Sequence, residues 1–369
     1  MKVLLCTPWD ISHGGGISRW AHHIVQHYED SQSSELQIDI CPMDRSSYLD
    51  EVTNPIKRGY CGLKDYYAIS KDIIGKVKAT PYDIVHLVSS ASISLIKDIY
   101  ILWQLKRLGV KTVIHFHFGR VPQLFEIKNW EYILMKKVLK LADKVIVLDK
   151  MSYDTLAAAG YKNIDKLPNP LSPRVSKIIE DNKSVAQVPR KILFVGHLYR
   201  TKGIFELVEA CCEIPCISVT IVGQYEEIIK NELIKIADKK SSSNRISFTG
   251  NIKMEQVIME MKSCDLFVLP TYTEGFPNVI IESMACGCAI VTTPVGAIPE
   301  MLEEENGKQY GILVAPQNTQ ALKDGIEAML NDELLKTECR KNVVQRVNER
   351  YNIDAVWHQI IAIWSDTIN

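Results

Sequence analysis

A chain of 369 residues is longer than one hydrophobic core usually supports, so its length predicts two domains. Hydrophobic residues make up 46% of the sequence and charged residues 24%, which is the ordinary balance of a globular protein. The net charge of -1 excludes a global electrostatic field that would draw the protein to nucleic acid or to acidic membranes.

The N-terminus and the cysteines indicate a cytoplasmic protein. The first apolar run ends before Asp10, which predicts a β-strand and argues against a signal peptide. No segment approaches the roughly 18 continuous apolar residues of a transmembrane helix. The ten cysteines are scattered and match no zinc-binding spacing, so we expect reduced thiols and no metal site.

Strand-like runs alternate with helical stretches in the first half of the chain, which predicts parallel α/β layers. The predicted strands are 2–7, 36–41, 83–89, 111–118 and 144–148. After the first strand, residues 13–19 are HGGGISR, and a helix is predicted to start near Trp20. Three glycines allow close backbone approach to a phosphate or a sugar, although such a loop is also ordinary turn chemistry. The spacing is not GxGxxG, so it does not indicate a dinucleotide.

Two histidines follow one face of the fourth predicted strand, which ends HFHFGR at residues 115–120. Alternation places His115 and His117 on the same side, at the strand end where α/β proteins bind ligands. A buried structural role is one interpretation. Half of a metal site is another, but the sequence places no third ligand.

A basic amphipathic helix is predicted over residues 128–144, KNWEYILMKKVLKLADK. Its apolar stripe and its lysines suit an anionic bilayer. They equally suit a helix that packs its apolar face in the core. Both interpretations stay open from the sequence.

Residues 167–189, LPNPLSPRVSKIIEDNKSVAQVP, are rich in proline, serine and charge, which predicts a linker over 171–190. A second set of strands follows at 191–195, 218–222, 245–248, 266–269, 289–292 and 311–314. The sequence therefore divides into two α/β halves.

The first strand of the second half leads into Gly196 and then HLYRTKG, residues 197–203. Cationic side chains at a glycine-bearing strand-to-helix turn can neutralise a diphosphate without any proton transfer. A solvated basic loop is the alternative.

Two carboxylates, Glu274 and Glu282, lie eight residues apart across a loop-to-helix junction. Pro277 suits the first helical position, so Glu274 is predicted before the helix and Glu282 inside it. A carboxylate can accept two hydrogen bonds from a vicinal diol, and a helix start attracts phosphate. The alternative is a solvated loop acid and a first-turn acid that the helix dipole favours.

The motifs EGFPNVIIE, MACGCAIV and PVGAIPEML resemble those of glycosyltransferase family 4, whose members are retaining GT-B glycosyltransferases. The resemblance implies two Rossmann-like, doubly wound domains that face a central cleft. An acceptor-side domain is expected over 1–170, a nucleotide-sugar donor domain over 191–351, and a last helix, about 352–369, that crosses back to the first domain.

The resemblance also implies residue roles. Glu274 would contact the donor sugar, Glu282 the nucleotide ribose, and His117, with His115 as second choice, the sugar. Relatives carry an arginine where this chain has His197, so Arg200 would join Lys202 in meeting the diphosphate. The implied catalytic residues are His117, Glu274 and Lys202. The remaining implied donor contacts are Gly15, Gly16, Gly196, His197, Arg200, Gly223, Phe276, Asn278, Val279 and Glu282.

The implied activity is transfer of a sugar from a nucleotide diphosphate sugar to a hydroxyl, with retention, in bacterial polysaccharide or glycolipid biosynthesis. We expect a front-face mechanism, no cofactor, no divalent cation and no nucleic acid. The expected partners are the donor and a sugar or lipid-linked acceptor, with peripheral membrane contact through 128–144. A nucleotide-sugar epimerase of the same fold and a non-catalytic nucleotide-sugar binder are the alternatives.

Overall fold

Two parallel β-sheets, one in each of two structural units, form the framework of the protein. The computed structural model describes residues 1–11, 16–31, 35–44 and 55–369, with the backbone alone for 55–60. Unit 1 comprises Met1–Pro170 and Ile353–Asn369, and unit 2 comprises Leu171–Asn352.

The sheet of unit 1 has six parallel strands in the order β2-β1-β3-β4-β5-β6. The inner strands β1, β3, β4 and β5 are mostly apolar and buried, because both faces of the sheet are covered by helices. They are β1 Lys2–Thr7, β2 Gln37–Pro42, β3 Ile84–Ser89, β4 Lys111–Phe116, β5 Lys144–Val147 and β6 Ile164–Lys166.

Helices cover the two faces of this sheet with separate apolar cores. One core includes Trp20 of α1 and Trp357 and Trp364 of α15. The other includes Leu95 of α3 and Val138 of α5. The helices of unit 1 are α1 Gly16–Ser31, α2 Pro55–Ala79, α3 Ser94–Arg107, α4 Val121–Ile127, α5 Trp130–Leu141, α6 Lys150–Ala158 and α15 Ile353–Ile368.

The sheet of unit 2 also has six parallel strands, in the order β12-β11-β10-β7-β8-β9. Its strands are β7 Lys191–Val195, β8 Ser218–Val222, β9 Ile246–Gly250, β10 Leu266–Leu269, β11 Ile290–Thr292 and β12 Ile312–Leu313. Its helices are α7 Pro173–Asp181, α8 Ile204–Glu213, α9 Glu227–Lys239, α10 Met254–Ser263, α11 Asn278–Ala285, α12 Ile298–Leu302, α13 Thr319–Asn331 and α14 Glu333–Arg350.

The predicted doubly wound α/β class is confirmed in both units, and every predicted strand is present within about two residues of its predicted bounds. The sequence prediction did not include β6, which has only three residues. Helix α7, which the sequence did not predict, lies inside the expected linker segment 171–190. This helix buries only Val175 and Ile178, a pattern too sparse to stand out in a segment rich in proline and charge.

Helix α5 lies inside the predicted amphipathic segment 128–144. Met135, Val138 and Leu139 are buried, whereas Trp130 and Ile133 are 52% and 55% exposed. Part of the predicted apolar stripe therefore packs in the core and part faces solvent. Within the described residues, no helix combines the length and the apolar character needed to cross a bilayer.

Candidate functional site

A lysine and a glutamate from two neighbouring strand ends form an ion pair in unit 2. Lys202 lies in a short 3-10 turn after β7, and Glu274 lies in the loop after β10, the strand beside β7. Lys202 Nζ lies 2.5 Å from Glu274 Oε1, and the two side chains are 26% and 13% exposed. The structure thus brings together two residues that the sequence singled out separately.

The backbone ties the two loops of this pair to each other. The amide of Tyr272 donates to the carbonyl of Thr201 at 2.8 Å, and the hydroxyl of Thr271 donates to the same carbonyl at 3.3 Å. The hydroxyl of Tyr272 also donates to Glu206 at 2.5 Å. The turn of Lys202 and the loop of Glu274 are therefore one connected element, which fixes the geometry of the ion pair.

Glycines allow close backbone approach around the pair. Gly203 has φ +70°, and a Cβ there would lie 2.0 Å from the carbonyl oxygen of Pro270. Gly296 has φ +57°, and a Cβ there would lie 2.3 Å from the carbonyl oxygen of Glu274. Any side chain at these positions must displace backbone, so the geometry of both loops depends on glycine.

Two further predicted glycines meet at the ends of β7 and β8. The amide of Gly196 donates to the carbonyl of Val222 at 2.9 Å. A Cβ at Gly223 would lie 2.0 Å from the carbonyl oxygen of Gly196. The main chains at the ends of β7 and β8 therefore lie too close together for a side chain at Gly223.

Helix α11 begins at Asn278, one residue later than predicted. Pro277 has a φ of -77°, which suits a helix, but its ψ of 105° keeps it extended, so it precedes the first turn as the N-cap. The N-cap residue is a proline, so its side chain donates no oxygen to cap the first amides of the helix. Amides at a helix start and the positive end of the helix dipole attract phosphate oxygens.

The residues around this helix start divide into main-chain and side-chain candidates. The ring of Phe276 is buried and packs edge-on against Tyr351 at 6.0 Å between centroids, which leaves only its main chain for a ligand. Val279 and Asn278 occupy the first turn, half-buried. Glu282 lies in the second turn, also half-buried, so it is inside the helix as predicted.

Arg200 and His197 contact residues other than Glu274. The Arg200 guanidinium lies 4.0 Å from the centroid of the Phe205 ring and 3.9 Å from Glu232. The exposed His197 ring stacks on Tyr199 at 5.6 Å. Of the predicted basic residues of this turn, Lys202 is the one that the structure pairs with Glu274.

In unit 1, the two predicted histidines lie at the end of β4 in a cluster of aromatic rings. His117 Nε2 lies 3.3 Å from His115 Nδ1, within hydrogen-bond range. Both histidine rings lie 4.9 Å from the Trp20 ring, between centroids. His86 on β3 completes the cluster, 5.5 Å from His115.

Burial keeps these histidines neutral. It lowers the pKa of His117 and of His86 to about 3, and the imidazole of His86 adds to the effect at His117. It lowers the pKa of His115 well below the ordinary value as well. At neutral pH the cluster therefore offers hydrogen bonds and no positive charge.

Sequence reasoning missed His86, Trp20 and Trp364. The indole of Trp364, on α15, donates to His86 Nδ1 at 2.9 Å, although the two residues are 278 positions apart. The only signal in the sequence is the histidine inside the otherwise apolar run of β3.

Of the two predicted glycines in the first loop, Gly16 begins α1, while Gly15 lies outside the described residues. The described His, Cys, Asp and Glu residues form no group of three that could hold a metal ion.

Unit 1 also contains a pocket with a buried lysine. Ile17, Ile69 and Val88 contribute to its walls, together with Ser94 and Lys97 of α3. Lys97 is 7% exposed; its Nζ lies 3.2 Å from Asp98 and 3.4 Å from the sulfur of Met43. A thioether is a weak acceptor, so this ammonium has hydrogen-bonding capacity beyond its carboxylate partner.

Two known sequence families match successive parts of the chain. Residues 14–174 match the family described as Glycosyltransferase Family 4. Residues 176–346 match the family described as Glycosyl transferases group 1. The first match covers most of unit 1, and the second covers most of unit 2.

Individual relatives extend this similarity. The chain is 30% identical to the putative teichuronic acid biosynthesis glycosyltransferase TuaC of Bacillus subtilis over 46% of this chain and 41% of TuaC. It is 26% identical to an N-acetylgalactosamine-N,N'-diacetylbacillosaminyl-diphospho-undecaprenol 4-alpha-N-acetylgalactosaminyltransferase of Campylobacter jejuni over 64% of this chain and 66% of that protein. Both alignments thus span less than two thirds of the relative's length.

The fold matches that of solved GT-B structures. Anabaena Alr3699/HepE, in complex with UDP and glucose, has a TM-score of 0.69 against this chain, with 18% identity, and the match covers 99% of this chain and 100% of that one. At this identity the likeness concerns the fold. The fold is therefore the GT-B fold. The two family matches, which together span most of the chain, show that it belongs to the glycosyltransferases, with a Glycosyltransferase Family 4 region followed by a Glycosyl transferases group 1 region.

Proposed function

We propose that this protein is a retaining glycosyltransferase that transfers a sugar from a nucleotide diphosphate sugar to a hydroxyl group of an acceptor. The observation that carries the proposal is the Lys202–Glu274 pair, held on two joined loops, one of which leads into the start of α11. A cation and a helix N-terminus suit a leaving diphosphate, and a carboxylate suits sugar hydroxyls.

The donor would be bound by unit 2. Lys202 meets the charge of the diphosphate, Glu274 orients the transferred sugar, and Glu282 accepts hydrogen bonds from the ribose diol. The main chain at Gly196, Gly223, Phe276, Asn278 and Val279 would supply further donor contacts. The UDP and glucose present in the Anabaena structure support a nucleotide-sugar donor.

A front-face displacement fits these residues. The bond between the anomeric carbon and the diphosphate oxygen breaks, the acceptor oxygen forms its bond on the same face, and the acceptor proton passes to the leaving diphosphate. Lys202 stabilises the charge that develops on that diphosphate. The mechanism needs no covalent intermediate, no cofactor and no divalent cation. Chelator treatment that abolishes turnover would contradict the last point.

The acceptor would be bound by unit 1, where the Lys97 pocket is the candidate contact. His117 would contact the transferred sugar, as the resemblance implies. Lys97 suits an acceptor that carries an oxygen able to receive a hydrogen bond. The names of TuaC and of the Campylobacter relative support a role in polysaccharide or glycolipid biosynthesis, and the latter name describes a lipid-linked substrate.

The exposed apolar and basic side chains of α3 and α5 support a lipid-linked acceptor. The two helices pack side by side. Ile96, Tyr100 and Trp103 form one exposed stripe on α3. Trp130 and Ile133 are exposed on α5. Lysine and arginine follow on both helices, at Lys106, Arg107, Lys137 and Lys140. We call these residues the α3/α5 surface; aromatic groups with cations suit an anionic bilayer.

The test is calorimetric binding of UDP, GDP and ADP sugars, followed by donor hydrolysis and by transfer to candidate acceptors. We expect one nucleotide to bind, hydrolysis to depend on Glu274, and the product to keep the anomeric configuration by NMR. Epimerisation of the donor without any acceptor would support an epimerase. Binding without turnover in the presence of any acceptor would support a non-catalytic binder. A trapped glycosyl-enzyme adduct would contradict the front-face mechanism.

A further inference from the structure

Three buried ring nitrogens in the histidine cluster of unit 1 have no hydrogen-bond partner in the protein. They are Trp20 Nε1, His86 Nε2 and His115 Nε2. The three rings lie 4.9 to 5.9 Å from one another between centroids, so the nitrogens belong to one cluster of adjoining rings. Each unpaired buried polar group costs about 1–3 kcal/mol, which favours a shared partner.

The hydrogen bond from Trp364 decides the tautomer of His86. An indole N–H is only a donor, so His86 Nδ1 must accept it and carries no proton. A neutral imidazole then carries its proton on Nε2. Two of the three unpartnered nitrogens, Trp20 Nε1 and His86 Nε2, are therefore donors.

His115 and His117 share one hydrogen bond, and its direction decides what His115 Nε2 offers. If His117 Nε2 donates, His115 carries its proton on Nε2 and the three unpartnered nitrogens are all donors. If His115 Nδ1 donates, His115 Nε2 is an acceptor and the three nitrogens are two donors and one acceptor. A water molecule accepts two hydrogen bonds and donates the rest, so only the second arrangement is fully satisfied by one water.

We infer that Trp20, His86 and His115 bind one buried water molecule, and that the resulting chain of hydrogen bonds from Trp364 holds the proton of His117 on Nδ1. The water accepts from Trp20 Nε1 and His86 Nε2 and donates to His115 Nε2. His115 Nδ1 then donates to His117 Nε2.

His117 therefore presents an N–H donor, and not a lone pair, beyond the cluster. Trp364 and His86 act through it as positioning residues. That this donor meets an oxygen of the substrate rests on the proposed function. The tautomer itself does not, because it follows from the contacts within unit 1.

Histidine-selective ¹⁵N labelling of the full chain tests the tautomer directly, with signals assigned through single histidine variants. Long-range proton–nitrogen correlation at neutral pH separates protonated from unprotonated ring nitrogens. We expect His117 to show a protonated Nδ1 and His86 a protonated Nε2. A protonated Nε2 on His117 of the unmodified protein overturns the inference without the need for any variant.

Two variants test the chain of hydrogen bonds. Trp364→Phe removes the donor to His86, and Trp20→Phe removes one of the donors to the water. In either variant the water can satisfy both directions of the hydrogen bond between His115 and His117. We expect the Nε2–H form of His117 to appear in each, and Trp357→Phe on the same helix to leave the spectrum of His117 unchanged. An unchanged His117 tautomer in both variants overturns the role of Trp364 and the water. Failure of donor binding or turnover, with the expected tautomer present, would instead contradict the proposed function.

Discussion

Lys202 and Glu274 neutralise each other across two loops that the backbone joins at Thr201 and Tyr272. The residue proposed to meet the diphosphate is thus held, in the free protein, by the residue proposed to orient the sugar. Donor binding must therefore compete with this ion pair for the lysine. A change in donor affinity when the ion pair is broken would show that the pair is functional and not only structural.

Glu274→Gln should release Lys202 for the diphosphate and remove a sugar contact. We expect UDP to bind about fivefold more tightly, which corresponds to about 1 kcal/mol for a partly exposed pair. Turnover should fall by about 100-fold or more, because orientation of the sugar is lost. Calorimetry with UDP and a hydrolysis assay with the preferred donor measure the two effects. Glu260→Gln, which breaks an ion pair with Lys191, is the control. Unchanged UDP affinity and unchanged turnover would show that the ion pair of Lys202 and Glu274 has only a structural role.

Gly203→Ala should lower both stability and UDP affinity by more than the strain of a positive φ alone would cause. The new Cβ would lie 2.0 Å from the carbonyl oxygen of Pro270, so the turn that carries Lys202 must shift. Gly250→Ala is the matched control, since Gly250 has φ +69° and open space around the Cβ position. We expect Gly250→Ala to lower the free energy of unfolding by about 1–2 kcal/mol, and Gly203→Ala to lower it further. UDP affinity should fall in Gly203→Ala alone; equal effects of the two changes would contradict a dependence on the Pro270 contact.

Lys97→Met should destabilise unit 1 by about 3–5 kcal/mol, because it leaves the buried carboxylate of Asp98 without its cation. The double variant Lys97→Met with Asp98→Asn should recover most of this loss, and urea unfolding measures both. In the double variant we expect a KM for the acceptor raised about tenfold and an unchanged KM for the donor. Lys78→Met, exposed near the end of α2, is the control. An unchanged acceptor KM would remove Lys97 from the acceptor site.

The α3/α5 surface should bind anionic lipid. Trp103→Ser combined with Trp130→Ser removes two side chains that are 46% and 52% exposed, so we expect a loss of cosedimentation with phosphatidylglycerol vesicles of at least tenfold. Leu334→Ser, which replaces an 85% exposed side chain on α14, should leave vesicle binding intact. Binding of the unmodified protein should weaken at high salt because the cations contribute. Equal binding to neutral phosphatidylcholine vesicles would contradict an electrostatic contribution of the lysines and arginine to lipid binding.

Acid should destabilise unit 1 through its neutral histidines. The unfolded chain binds protons at histidine below about pH 6.5, whereas the pKa of His117 in the folded protein is lowered to about 3. Between these values the unfolded state binds more protons, so stability falls as pH falls. Each such histidine contributes about 1.4 kcal/mol per pH unit to this slope. Urea unfolding from pH 6 to pH 4 should therefore show a shallower slope for His117→Asn than for the unmodified protein. Identical slopes would contradict the lowered pKa.

The sequence predicted those parts of the protein that depend on local pattern. The apolar runs identified the strands, and the motif around Glu274 and Glu282 located the loop and helix α11, with an error of one residue at Pro277. It also identified Lys202 as a candidate. Its pairing with Glu274 depends on the order of β7 and β10 in the sheet, which no local pattern contains.

The histidine cluster shows why the rest was not predictable. His115 and His117 could be placed on one face of β4, but His86, Trp20 and Trp364 come from three other elements. Their contacts arise only after β3 lies beside β4 and α15 packs under the sheet. Likewise, the exposed position of Arg200 against Phe205 depends on packing in unit 2.

The placement of α15 in unit 1 has a consequence for biosynthesis. Unit 2 is one continuous segment, whereas unit 1 is interrupted by it and resumes at Ile353. The core that contains Trp20 cannot acquire Trp357 and Trp364 until the ribosome has translated all of unit 2. Unit 1, although its synthesis starts first, is therefore the later of the two to complete its native core. During that interval the face of its sheet that α15 covers, with His86 and its Nδ1, is open to solvent or to a chaperone.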